Sequence, residues 1–248
     1  MPKIAALYQS HDSFVRLAAT MVLRRLGAPA AATLQIALID DNKDVAQIAG
    51  RALRDLGPAS VDALPMLIKM LDGPRESKDV ALTVIQGIGP GAAAAAPKML
   101  ETWPDYFLHG YSPYISAFAA IGRPAAEPAV PLIEKMLRKE VDPGSGVYIV
   151  HDVFAVGHHA LFVLTGEREH LQALLQLLPD RVNGHTAASR LRDLGAAAAE
   201  IVPETRQLLG KDGLPPDRWT APRNRPIGSN PSGWYNHFSW TPVVASLY

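Results

Sequence analysis

Residues 52–71, ALRDLGPASVDALPMLIKML, contain the end of one helix, a Gly-Pro break and a second helix with a proline near its start. Just upstream, Val45, Ile48, Ala49, Ala52, Leu53 and Leu56 recur at three- and four-residue spacing, which predicts one apolar face on a helix over 43–56. Gly57 ends it, because a glycine past the last apolar residue can adopt the left-handed conformation favoured at a helix C-terminus, and Pro58 cannot continue the ladder. Leu64, Leu67 and Leu71 then share one face of the second helix.

The rest of the chain copies this unit. Gly27, Gly57, Gly89, Gly122 and Gly195 each follow a Leu or Ile, and Leu23, Leu53, Ile85, Phe118 and Leu191 stand four residues before them. Pro65, Pro97, Pro131 and Pro203 recur eight or nine residues after the glycine. In the first turn of a helix a proline lacks only a donor that would be unpaired there, so it fixes where the second helix starts. The interval between Gly122 and Gly195 holds a further unit with Gly166 as its degenerate break and Leu161 and Phe162 on its face. Internal repeats of this length predict about six helix pairs in one continuous stack.

The grammar A-x-x-L-x-x-L-G-x-x-A-x-x-x-x-P-x-L resembles HEAT repeats, and within them the short HEAT-like type named after phycobilisome (PBS) lyases. The resemblance covers roughly four fifths of the chain. It implies an all-α fold, a right-handed α-solenoid of about six two-helix repeats over 1–210, followed by an irregular tail over 211–248. The type occurs in bilin lyases, in a hydroxylase, in DNA glycosylases and in many scaffolds without chemistry, so it implies a fold more than an activity.

Charge and composition narrow the function. Lys plus Arg equals Asp plus Glu at 24 each, which lacks the basic excess of a duplex-binding surface, so no duplex nucleic acid is expected as a partner. There is no cysteine, which excludes disulfides and thiolate metal sites. No apolar run follows a basic start near Met1 and no stretch of about 20 apolar residues occurs. Neither a secretory signal nor a membrane span is therefore expected, and a cytoplasmic setting is the default expectation.

Candidate sites fall where the repeat rhythm changes. It breaks at Trp103-Pro104, and Trp103, Tyr106, Phe107, Tyr111, Tyr114 and Phe118 crowd together. Such rings serve either as anchors for a partner or as the plug of a lengthened inter-repeat loop. Eight residues before the glycine most units have alanine (Ala19, Ala49, Ala81, Ala187), whereas two have Tyr114 and His158. These enlarged positions either open the stack or hold hydrogen-bonded core side chains. The tail carries Trp219, Trp234, Tyr235, Phe238, Trp240 and Tyr248 among six prolines, too many rings for a disordered linker. It is expected to dock over the last repeats as a cap.

Metal chemistry is not expected. His151 and His158 are seven residues apart on one helix, roughly 10 Å along its axis, too far for one ion. The resembling hydroxylase uses repeated His-Glu pairs, where this chain has His11-Asp12 and His151-Asp152. No G-x-S-x-G and no G-x-x-x-x-G-K-[ST] is present. The leading expectation is a non-catalytic protein-interaction scaffold, with no cofactor, whose partner is another protein contacted through Trp103, Tyr106, Tyr111, Tyr114, His158, Trp234 and Trp240. The alternatives are a HEAT-fold nucleic-acid enzyme resembling the alkylpurine DNA glycosylases, with Arg123, Lys135 and Arg138 as its basic residues, and a bilin-lyase-like protein.

Overall fold

The structure, a computed structural model, describes residues 2–106, 112–138, 153–179, 183–201 and 203–204. Among these the secondary structure is entirely helical, and the fold is an all-α solenoid of helix pairs. The chain divides into two compact units, 1–150 with 163–165, and 151–162 with 166–248. The expected boundary between array and tail at residue 210 lies outside the described residues.

In the first unit the template forms α4 (Lys43–Leu56) and α5 (Leu64–Met70). Asn42 caps α4, its Oδ1 accepting from the amides of Asp44 at 2.9 Å and Val45 at 3.4 Å. Asp44 in the first turn and Arg54 in the last both complement the helix dipole. The chain then runs through a 3₁₀ stretch, Gly57–Ala63, before α5 begins with Pro65 as its second residue. The repeat pattern of the sequence does not announce that stretch. Its geometry is held by the buried Ser60 hydroxyl, which donates to the Leu53 carbonyl at 2.7 Å.

The same plan repeats in α2 (Ser13–Leu26) with α3 (Ala31–Ala37), α6 (Arg75–Ile88) with α7 (Ala96–Tyr106), and α8 (Ser112–Ile121) with α9 (Val130–Leu137). Pro97 and Pro131 are second residues of their helices, so the prolines mark starts rather than kinks. One expectation needs correcting: α7 does not stop at Trp103-Pro104 but continues to Tyr106. A proline so near the end forfeits a single hydrogen bond in the last turn.

All six break glycines, Gly27, Gly57, Gly89, Gly122, Gly166 and Gly195, have positive φ, from 52° to 79°. The expected left-handed helical conformation is nevertheless wrong in ψ, which is −133° at Gly57 and −136° at Gly89. Pro58 and Pro90 have no amide to donate to a Schellman motif, but Gly27 and Gly195, each followed by alanine, take the same form with ψ of −146° and −125°, so it is common to breaks with and without proline. The peptide after the glycine is turned over instead, into a region that only glycine enters readily.

First helices α2, α4, α6 and α8 pack in succession, and the 3₁₀ stretches Gly57–Ala63 and Gly89–Ala95 pack on one another beside them. Gly87 lets α4 and α6 approach closely, since a Cβ there would lie 2.5 Å from the Arg54 carbonyl oxygen. Leu23, Leu53, Leu67, Leu71, Ile85 and Phe118 are wholly buried. Asp12 caps α2, its Oδ1 accepting from the Phe14 amide at 2.8 Å. The residues 75–103, Arg75–Trp103, are apolar enough for a membrane span by composition, but they are broken at Gly89 and half buried inside the unit.

The second unit holds residues 153–162 of α10 (Val153–Thr165), which meets α11 (Arg168–Leu177) at Gly166 without a 3₁₀ stretch, and α12 (Gly184–Leu194), which leads into Gly195–Ile201. Leu171, Leu174, Leu175, Ala187 and Leu191 form its core, with Phe162 packed against them.

Candidate functional site

The aromatic residues expected as partner anchors divide. Trp103 and Tyr114 are wholly buried within the first unit, their rings stacked with centroids 6.1 Å apart and planes 4° from parallel. Phe118 tilts against Trp103 at 5.4 Å, and the Tyr114 hydroxyl shares a hydrogen bond of 3.0 Å with Thr102 Oγ1. This is the core between α7 and α8. The enlarged position at Tyr114 is filled by a hydrogen-bonded core side chain, leaving neither ring a surface to offer. Tyr111, Trp234 and Trp240 lie outside the described residues, as does the side chain of Tyr106.

His158, on α10, is half-buried and shares an Nδ1 to Nδ1 hydrogen bond of 3.3 Å with His170 on α11. The two rings lie 5.5 Å apart, centroid to centroid. His170 is buried, and its Nε2 faces the Glu167 carboxylate at 3.5 Å. Burial, reinforced by the neighbouring His170, pushes the His158 pKa down to about 4. Burial, reinforced by Arg190, does the same at His159, also to about 4. Both rings are therefore neutral at pH 7. One ring of the His158–His170 pair donates and the other accepts. Among the described residues, Glu167, Glu169 and His170 bring ligand atoms within 4.8 Å of one another and are the group that could hold a cation, with both acids exposed.

Reading along one helix missed His170, which follows Gly166 on the next helix. A second feature was also missed. Among the described residues, the exposed large apolar side chains are Leu7, Phe14, Met21, Val22, Leu26, Ile36, Ile39 and Val61. All but Val61 belong to the first helix pair, its lead-in or the turn just after it. Phe14 is 79% exposed, where the equivalent positions of α4 and α6 carry Asp44 and Glu76. The glycine alignment displays the difference at positions other than the core ones, because Met21 likewise stands where the next units have Arg51 and Thr83. Stacked repeats bury apolar faces against their neighbours, whereas these side chains are exposed.

No family model matches the chain, and no curated protein matches it. Among solved structures, a chain of the complex of CpcE and CpcF of phycocyanin lyase from Nostoc sp. PCC7120 is similar. The match has a TM-score of 0.60 and 26% sequence identity, and covers 81% of this chain and 79% of that chain. The likeness supports the HEAT-like helical fold.

Proposed function

We propose that this chain is a HEAT-like pairing subunit, which acts by holding another protein against its helix stack. The observation that carries the reading is the similarity, over four fifths of both chains, to a protein solved in complex with a second protein. The exposed apolar side chains of the first helix pair give such a partner something to bury. A buried apolar centre supplies most of the energy at interfaces of this kind.

The neighbour's own description favours a second reading, in which the pair is a lyase of the phycocyanin-lyase kind and this chain is one of its two subunits. Capture of the tagged chain from cells that produce it, followed by size exclusion and mass spectrometry, tests both. Pairing predicts one stoichiometric protein partner. The lyase reading adds a bilin chromophore, seen as visible absorbance, on the complex or on a protein it releases. Recovery of the chain by itself, at its own mass, would refute pairing.

A further inference from the structure

The stack shows which side of each first helix looks back and which looks forward. A Cβ on Gly50, seven residues before its break glycine, would touch Val80 Cγ1 at 2.9 Å, and Val80 stands nine before the next glycine. Arg54, three before, lies against Gly87, two before. The ion pairs keep the same register. Arg24 meets Asp55 at 2.9 Å, three before against two before, and Lys43 meets Glu76 at 2.7 Å, fourteen before against thirteen before. Positions thirteen, nine, five and two before the glycine therefore face the preceding helix.

On α2 those positions are Phe14, Ala18, Val22 and Arg25. Val22 is 48% exposed, whereas Ala52 and Val84, at the same position in α4 and α6, are buried. The short lead-in, α1 (Pro2–Ala5) and a 3₁₀ turn (Ala6–Gln9), packs on α2, with the Tyr8 hydroxyl 2.7 Å from Thr20 Oγ1, but it leaves Phe14, Ala18, Val22 and Arg25 exposed.

We infer that the backward flank of α2 receives an amphipathic helix of a different protein, seated as a preceding repeat would be, with an apolar side chain over Phe14 and a carboxylate opposite Arg25. This rests on the pairing reading above and names the surface and the partner's chemistry. The ion-pair register assigns the chemistry: residue two before the glycine pairs with residue three before on the helix behind it, and that residue on α2 is the exposed Arg25. The same register argues against head-to-tail stacking of a second copy. Its α12 would bring Arg192, three before Gly195, against Arg25, and like charges in contact oppose association.

The test uses a fluorescent peptide of the α4 sequence, Lys43–Leu56, bridged to hold it helical, carrying K43L and R54E. Anisotropy titration against the full chain is expected to show saturable binding, weakened about tenfold by V22E and by R25E. A peptide with Arg54 retained should prefer the R25E chain over the parent, a reversal of charge preference that generic adhesion cannot give. Phe14, Val22 and Arg25 are exposed, so the variants should melt with the parent; F14K replaces V22E if that variant unfolds. Absence of binding, or binding indifferent to these substitutions, overturns the inference. So does a concentration-dependent dimer in sedimentation that V22E abolishes, because the occupant is then a second copy. Tighter peptide binding on removal of residues 211–248 also overturns it, since the chain's own tail would then hold the flank. A partner captured equally by the parent and R25E chains sinks the flank while leaving pairing intact; a partner lost with R25E supports both.

Discussion

Replacing Gly27 isolates the backbone device that phases the array. Its φ is 72° and ψ −146°, and a Cβ built there would meet nothing within 4 Å. Steric clash therefore plays no part, and the cost of G27A is the strain of holding an L-residue in that region, of order 1–3 kcal/mol. The unfolded chain of the variant is stiffer, which returns about 0.4–1 kcal/mol. A net loss of about 1–2 kcal/mol is expected, seen in urea as a lower midpoint at unchanged slope. G27N discriminates between two geometries. Asparagine tolerates the left-handed helical conformation, but a ψ of −146° lies outside it, so G27N should be as destabilised as G27A. A G27N chain as stable as the parent would refute the reasoning, since it would mean that the break takes the ordinary left-handed form. G87A supplies the converse control: its loss should come from the 2.5 Å approach to the Arg54 carbonyl.

Further outcomes follow from packing and titration. L53A and L67A each remove a wholly buried side chain and should cost about 2–5 kcal/mol in urea denaturation. Arg16 grips Asp40 with two hydrogen bonds, Nε to Oδ2 at 2.6 Å and Nη2 to Oδ1 at 2.8 Å, tying α2 to the turn before α4. D40N should lower the melting temperature, and R16K should not replace arginine, because lysine cannot make the paired contact. His158 and His159 titrate near 4 in the folded chain against 6.5 unfolded, so the fold favours their neutral forms. Their contribution is present above pH 6.5 and is lost as pH falls through about 4. After solvent screening it should be on the order of 1–2 kcal/mol for the two together. A chain carrying H158N and H159N should show a flatter stability profile across that window.

Much of the fold is legible in residues 52–71 and their copies, because glycine and proline act through local geometry that a sequence displays. Positive φ at Gly166 could be expected even though Thr165 stands where the other units have Leu or Ile, because the apolar Phe162 keeps its place four residues before the glycine. The 3₁₀ stretches could not be read in the same way. Gly57–Ala63 and Gly89–Ala95 contain residues compatible with an α-helix, Gly195–Ile201 winds the same way without a proline after its glycine, and contacts such as Ser60 to Leu53 appear only in the packed structure. The candidate site was harder. Trp103 and Tyr114 share their composition with an interface hot spot, and only packing reveals that they face each other across α7 and α8. His170 joins His158 through a contact between helices, which spacing on one helix cannot show. The flank of α2 was visible in principle as a column of the repeat alignment, but only the packed register of α4 on α6 tells which column faces backward.

Hydrogen exchange of the full chain, free and in complex with the protein captured on it, tests the account most directly. Partner binding should slow exchange across α2, centred on residues 14–25, and leave α4 and α6 unchanged, because their faces are already covered. Protection confined to α10 and α11, or an exchange pattern that the captured protein does not alter, would contradict it.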